Sequence, residues 1–404
     1  MTDGKKVREI VKAASDRIQN VHIGCFQGMD RPLFLISEAY PGLWLEHAYD
    51  SVFYAARKPE YLYLAENVMN LFMDYQKEDG QLPFCVMRTG AVRYSQIQEC
   101  VAFFRLCLEV YEMNGDRAFL RKAYEAGRGW AGWIRRNRMT TGRGLAEVFV
   151  GYDTGHDNSG RLRGMACPGN YCVNGVEQNA AILPPEDGIT PIGAVDLTCN
   201  LFGNLTALAE MAGLLGLAEE KERWLREAAE AKDSLFAWCY DERDAFFYDI
   251  DRNGNKRKFR SSTIFHLFME GVLDRNQDTD LIDRIYREHI RNPEEFWTPY
   301  PFPSMAVNDP SCGGHVTANC WGYYTMGLIV ERCERWMDRY GWGKDYDFVL
   351  AKWLEGWTAC FDRVPLGQEL DPLTGEPTSA SPWYSSGMLS YINAAVRLGI
   401  AAGF

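Results

Sequence analysis

An all-α protein whose helices close into an α/α barrel is what these 404 residues predict, for three reasons. Apolar residues recur at helical spacing in about a dozen windows. The windows are joined alternately by short and long connections, and their lengths vary, so no fixed period marks an open solenoid. No low-complexity linker interrupts the chain, which favours one domain over 1–404 even though length alone suggests roughly two or three.

The first helix carries Val7, Ile10, Val11, Ala14, Ile18 and Val21 along one side. A second is expected from Leu43 to Arg57. A third opens at Pro59, a good first-turn residue, presents Leu62, Ala65, Val68, Met69 and Phe72, and stops before Asp79-Gly80. Further windows fall near 95–113, 117–136, 195–216, 219–239, 261–273, 278–290, 319–339, 345–362 and 384–399. Asp116 and Asp196 are placed as N-caps and Gly216 as a C-terminal stop. One small β element is expected, where Ala245–Ile250 and Lys256–Phe259 flank Asn253-Gly254. The same stretch imitates the first half of a calcium loop, but its twelfth position is Arg260 where a bidentate Glu is needed, so it reads as a hairpin.

Composition narrows the function. Hydrophobic residues make up 47% of the chain, enough for a large core, and the 12 Trp, 21 Tyr and 21 Phe exceed what packing alone asks for. A net charge of −12 argues against nucleic acid and against an anionic membrane surface. No apolar run reaches the ~18 residues of a membrane span. The start, Met1 to Lys6, leads into an amphipathic stretch rather than a signal segment. The 12 cysteines lack a CxxC pair, Cys167 and Cys172 coming nearest, and Cys100, Cys107, Cys199 and Cys333 fall inside helical patterns. A cytoplasmic location suits these features. The six histidines, His156 and His315 among them, show no HExxH or His-x-His pairing, so no metal site is expected.

The long connections 80–94, 140–194, 291–318 and 363–383 are rich in Gly, Pro, Asn, Trp and Tyr, as functional loops on a rigid scaffold are. Two segments within them stand out, each carrying carboxylates in a polar, turn-rich loop. The first, Gly151 to Arg161, follows a short extended run, Ala146 to Val150, and contains Asp153, Asp157, Asn158 and Arg161. The second, Gly367 to Pro377, contains Glu369 and Asp371 and precedes Ser381-Pro382-Trp383-Tyr384-Ser385-Ser386. Plain turn chemistry would select many of the same residues.

Together the two segments resemble the trehalase, processing α-glucosidase I and mannosylglycerate hydrolase group of glycoside hydrolases, families 37 and 63. That group has a Gly-x-Asp-Asn-Ser loop mid-chain and a Glu-x-x-Asp-Pro-x-Thr-Gly loop near the C-terminus, here Gly155–Ser159 and Glu369–Gly375. Trp44 to Asp50 resembles its early Trp-Asp motif, Gln76–Gly80 its Gln-x-x-Asp-Gly turn, and Asn114–Asp116 its Thr-Gly-Asp helix junction.

The resemblance implies an (α/α)6 barrel of the six-hairpin glycosidase kind, with long loops, and cleavage of an α-linked glycoside with inversion. By matching position Asp157 is implied as general acid and Glu369 as general base, with Asp153 and Asp371 in reserve. Trp44, Asp50, Gln96, Asn158, Arg161, Trp321 and Trp383 are expected in the sugar pocket. No metal or organic cofactor is expected, and the partner is a small carbohydrate. The chain departs from the group at Glu46-His47, which separate Trp44 from a displaced Asp50, and at Thr317–Gly322, where the group has Gly-Pro-x-Trp. A sugar epimerase or isomerase working through a histidine pair, and a carbohydrate-binding protein without turnover, are the competing readings.

Overall fold

The computed structural model describes residues 3–162, 165, 172–173, 176–177, 191–312, 321–378 and 381–403. Helices dominate them: α1 (Gly4–Arg17), α2 (Ala48–Arg57), α3 (Leu62–Asp74), α4 (Phe103–Asn114), α5 (Arg117–Asn137), α6 (Val195–Leu215) and α7 (Ala218–Ser234), then α8 (Phe265–Met269), α9 (Thr279–Ile285), α10 (Gly327–Arg332), α11 (Glu334–Met337), α12 (Gly343–Cys360) and α13 (Ser385–Arg397).

Local chemistry accounts for several boundaries. Asp3 accepts the Lys5 amide at 2.9 Å and starts α1, and Asp116 accepts the Ala118 amide at 2.7 Å and starts α5. Gly216 ends α6 with φ +79°, a conformation a side chain would resist. Asp196 lies in the first turn of α6 rather than ahead of it. The N-cap is Ala194, and the carboxylate of Asp249 accepts the Val195 amide at 2.9 Å instead. That substitution frees Asp196 for an ion pair described below.

The packing order runs in a ring. Helix α2 packs on α4, α4 on α6, α6 on α8, α8 on α11, and α10, which continues into α11, packs on α13; α13 returns to α2. A second layer surrounds it, with α3 against α2 and α4, α5 against α4 and α6, α7 against α6, and α1 and α12 against α13. The burial of each helix follows from its place. α6 is buried on nearly all sides, including polar Thr198, Asn200 and Asn204, whereas outer α7 buries only Trp224, Ala228 and Ala231. On α1 the stripe Val7, Ile10, Val11 and Ala14 is buried, each larger side chain contributing roughly 1.5–3 kcal/mol.

Three expected helices begin later than their periodicity suggests. Gly42–Trp44 is a strand paired with Cys85–Met87, and a 3-10 turn, Leu45–His47, precedes α2. Residues 95–102 are non-helical, with Gln98 at φ +55°. Thr325–Met326 is a strand paired with Glu369–Leu370, ahead of α10, while residues 319–320 lie outside the described residues.

The β content also exceeds one hairpin. The hairpin is present, with Asp249–Ile250 against Lys256–Arg257 and Gly254 at φ +90°. It extends, however, through Ile192–Gly193 to Glu147–Val148, the expected extended run. Phe246–Phe247 pairs separately with Tyr240–Asp241. No helix among the described residues is long and apolar enough to cross a membrane.

Candidate active site

The segments leading into α2, α4 and α13 meet the two carboxylate loops in one cleft of about 340 Å³. Its described lining is Ile36, Tyr40, Trp44, Glu46, His47, Gln98, Gly155, Asp157, Gln368 and Tyr384.

The Asp157 loop is held from below by buried charge. Asp153, fully buried, pairs with Arg138 at the end of α5 and accepts the amides of Ile97 at 3.1 Å and Phe149 at 2.9 Å. Its own carbonyl accepts the Gln98 amide at 2.8 Å, which ties this loop to the one entering α4. At the far end Arg161, 1% exposed, bridges Asp196 of α6 and Asp249 of the hairpin, the latter at 2.7 Å. It also donates to the Thr154 hydroxyl at 3.2 Å. Between these anchors Gly155 (φ +76°) and Asn158 (φ +61°) turn the chain through the left-handed region, which Gly and Asn tolerate best. The carbonyl of Asp157 accepts the Trp321 amide at 2.9 Å.

Glu369 arrives on a short strand. Its partner strand is Thr325–Met326, and the Gly327 amide donates to the Gln368 carbonyl at 2.7 Å, so the strand is seated on the start of α10. The Glu369 side chain is fully buried and accepts from the Thr378 hydroxyl at 2.7 Å. Asp371 closes the following turn, accepting the amides of Leu373 and Thr374 at 2.8 and 2.9 Å. Tyr40 links the two halves. Burial raises the pKa of its phenol, and the charges of Asp157, Glu369 and Glu46 each raise it further, so all three carboxyl groups act on one hydroxyl.

The expected pocket residues separate into groups. Trp44 lines the cleft, edge-on to Tyr40 at 5.8 Å. Asp157 lines it, and Glu369 follows cleft-lining Gln368. Trp321 is 2% exposed and stacks on His156 at 4.4 Å. The two share an adjoining chamber of about 300 Å³ with Ser262, Phe265, His266 and Arg332.

The others stand back from the described lining. Asp50 is buried within α2 under the Ser385 hydroxyl, and burial pushes its carboxyl up to about 7. Gln96 accepts from Gln98 at 2.6 Å, Asn158 is exposed, and Arg161 is locked between its two aspartates. Trp383 packs edge-on against Phe361 at 5.8 Å, with Arg17 over its ring. His315 lies outside the described residues.

Sequence reasoning passed over Tyr40 and Gln98; it marked Glu46 and His47 as a departure in a region expected to line the pocket, and Tyr384 only as part of the segment after the second loop. Tyr40 lies just ahead of the Gly42–Trp44 strand and Gln98 in the non-helical run before α4, and no motif marks either. His47, His156 and His266 are held well below the usual histidine range, in each case first by burial, and are neutral. Among the described residues no group of three or more His, Cys, Asp or Glu is arranged to hold a metal ion.

The model of the mannosylglycerate hydrolase MGH1-like glycoside hydrolase domain matches residues 41–312. No curated protein matches the sequence. Among solved structures, the family-63 mannosylglycerate hydrolase from Thermus thermophilus, in complex with glucose, superposes with a TM-score of 0.69 at 19% identity, covering 95% of this chain and 99% of that one. The same enzyme with Tris and D-glycerate gives 0.68 at 17%, covering 96% and 99%. A neutral trehalase from Saccharomyces cerevisiae gives 0.67 at 12%, covering 92% and 76%.

Proposed function

The chain belongs to the mannosylglycerate hydrolase MGH1-like glycoside hydrolase family, and on that footing we propose that it cleaves a small α-linked glycoside with inversion at the anomeric carbon. It is a glycosidase. The ring of α2, α4, α6, α8, α10–α11 and α13 inside a second helical layer supports an (α/α)6 barrel built by the whole chain as one domain.

The observation that supports this mechanism is that Asp157 and Gln368, the residue before Glu369, line one cleft with Tyr40 and Trp44. Asp157 gives its proton to the glycosidic oxygen as the bond from that oxygen to the anomeric carbon breaks. Glu369 takes a proton from water, whose oxygen bonds to the opposite face of the same carbon. The alcohol leaves neutral, Asp157 ends as carboxylate and Glu369 as acid, and the two reset through solvent. Trp44 and Tyr40 offer rings to the apolar face of the sugar.

The substrate is a hexosyl glycerate or a disaccharide. The cleft sets ring-bearing Tyr40, Trp44, His47 and Tyr384 beside polar Glu46, Gln98 and Asp157, the mixed lining that a small sugar requires. The named activities of the structural neighbours, on mannosylglycerate and trehalose, agree with that scale. Arg161, Asp153 and Asp50 are assigned here as positioning residues, not sugar ligands.

The test is hydrolysis of a panel of mannosylglycerate, glucosylglycerate and α-linked disaccharides by the wild type, Asp157→Asn and Glu369→Gln. Release of a hexose that falls by about 10²–10⁴-fold in each variant is expected. Unimpaired turnover in either variant removes that residue from the mechanism.

One observation speaks for the isomerase reading. His156 and His266 face each other across 6.0 Å at the adjoining chamber, as a proton-transferring pair would. One nitrogen of each is committed, however, His156 Nδ1 lying 3.3 Å from Arg161 and His266 Nδ1 3.1 Å from the Asn200 side-chain oxygen. An isomerase would interconvert free sugars, and both carboxylate variants would leave that conversion intact. A binding protein without turnover would retain sugar affinity and release no product.

A further inference from the structure

The chamber that adjoins the cleft plays no part in the reaction proposed above, yet it is lined by a buried cation. Arg332 ends α10 and is 5% exposed. A guanidinium carries several N–H donors and keeps its charge inside a protein. Among the described residues Arg332 makes a single hydrogen bond, from Nη2 to the Glu46 backbone carbonyl at 3.0 Å, and its buried Nε has no partner.

Its counter-charge is equally sparse. The one described carboxyl group within ion-pair distance is that of Glu46, with Oε2 3.9 Å away, and no forked pairing forms. Burial pushes the Glu46 carboxyl to about 8, so near neutral pH it keeps its proton. Asp50 and Glu331 act on Arg332 from beyond ion-pair distance, and burial raises both of them as well. A buried charge in this position gains from a close partner of opposite sign.

The rest of the lining suits an anion. Phe265, Ile329 and Trp336 supply apolar walls, which leave a charge poorly screened. The Ser262 hydroxyl and the Trp321 indole N–H make no hydrogen bond to another described group. His156 Nδ1 lies 3.3 Å from Arg161 Nη2, which can only donate, so Nδ1 accepts and Nε2 carries the ring proton. The Asp196 carboxylate, 3.4 Å from the same Nδ1, is itself paired with Arg161. His266 is set the other way. The Asn200 side chain donates to the Glu99 carbonyl at 2.5 Å, so its oxygen accepts from His266 Nδ1 at 3.1 Å. His266 Nε2 keeps a lone pair, and it is the one polar group of the described lining that does not favour an anion.

We propose that the chamber binds a small monovalent anion of the halide kind, held by Arg332 with the donors of His156, Ser262 and Trp321 around it. A halide is spherical and accepts from any direction, which fits donors arriving from separate segments. A carboxylate would favour the fork of one guanidinium. The anion supplies the charge that Arg332 lacks at close range. It ties α10 to the loop of His156 and to the turn ahead of α8. Such a site does not depend on which sugar the cleft takes.

The experiment records Tm of the wild type as sodium chloride replaces sodium gluconate at fixed pH and ionic strength. Gluconate is too bulky for a halide site, so it serves as the control for general salt effects. Tm is expected to rise with chloride, by about 2 °C for each tenfold increase beyond the dissociation constant, because an anion that binds the folded chain stabilises it by mass action. Bromide acts in the same way, and in Arg332→Gln the rise is lost. Equal Tm in chloride and gluconate, or a rise that survives Arg332→Gln, overturns the proposal. So does a rise with D-glycerate and none with halide, since the ligand would then be an organic carboxylate.

Should Arg332→Gln not fold, wild-type crystals grown at the lowest bromide concentration that raises Tm locate the ion by anomalous diffraction. A peak in the chamber beside Arg332 is expected. Bromide found on the surface alone, or not at all, overturns the proposal.

Discussion

Asp153 and Asp157 stand four residues apart in one loop, yet their surroundings are opposite. Asp153 is sealed against Arg138 and two backbone amides, the setting of an ionised carboxylate that fixes a loop. Asp157 faces the cleft. Replacing Asp153 with Asn leaves Arg138 charged and buried without its counter-ion. The expected cost is ~3–5 kcal/mol, read as a lowered midpoint in urea unfolding. A change within experimental error would show that the pair does not anchor the loop. At this scale the sequence disclosed residue types and loop membership, since Gly155–Ser159 and Glu369–Gly375 could be picked out by pattern. It did not disclose which acids are paired, because Arg138, Asp196 and Asp249 come from distant parts of the chain.

Among the elements, three helices start later than their apolar periodicity suggests, all at the end of the ring where the cleft lies. Trp44, Gln98 and Thr325 belong to stretches that look helical, but their backbones pair instead with Cys85, Asp153 and Leu370. Tertiary pairing overrides local pattern where the site is assembled, which is where a local rule is expected to fail. The helices themselves were legible because each buries a stripe at regular spacing, and Pro59, Asp116 and Gly216 punctuate them as read.

One close approach couples an element to the site. A Cβ on Gly387, in the first turn of α13, would collide with the backbone carbonyl of Gly367, two residues before Glu369. Backbone cannot rotate away as a side chain can. Gly387→Ala is therefore expected to displace the Glu369 strand, lowering kcat/KM by about tenfold or more as a misplaced catalytic group does, together with a lower Tm. Wild-type kinetics in this variant would show that the strand is not seated on α13.

The whole molecule buries many titratable groups, and the balance between them sets its pH dependence. Burial lifts Glu46 to about 8 and Glu99 and Asp50 to about 7, each above the ordinary 4.5 of a glutamate or 3.8 of an aspartate. For these groups the folded state binds the extra proton, so their contribution is full below the unfolded pKa and is lost as pH rises toward 7–8. Burial lowers His22 to about 4 and His266 to about 3 from 6.5, and His47 and His156 move the same way. For those the unfolded state binds the proton, and their contribution is full above pH 6.5. Above pH 6.5 the histidine contribution levels off while the buried acids go on titrating, and Tm is expected to fall between about pH 7.5 and 8.5, each group changing stability by up to ~1.4 kcal/mol per pH unit while it titrates. A rising or flat Tm across that range would show that these acids are ionised in the folded protein. None of this was legible from a net charge of −12, which counts charges without saying which are buried.

The proposed inverting reaction rests on the ring of helices bringing Asp157 and Gln368, the residue before Glu369, to one cleft from positions 211 apart in the sequence. Proton NMR of the sugar released in the first seconds of turnover, before the anomers equilibrate, tests that claim most directly. An α-linked substrate giving the β anomer first, with no early release from Asp157→Asn or Glu369→Gln, is the result expected. The α anomer appearing first would mean retention through a covalent intermediate and would contradict the assignment of Glu369 as the base that activates water.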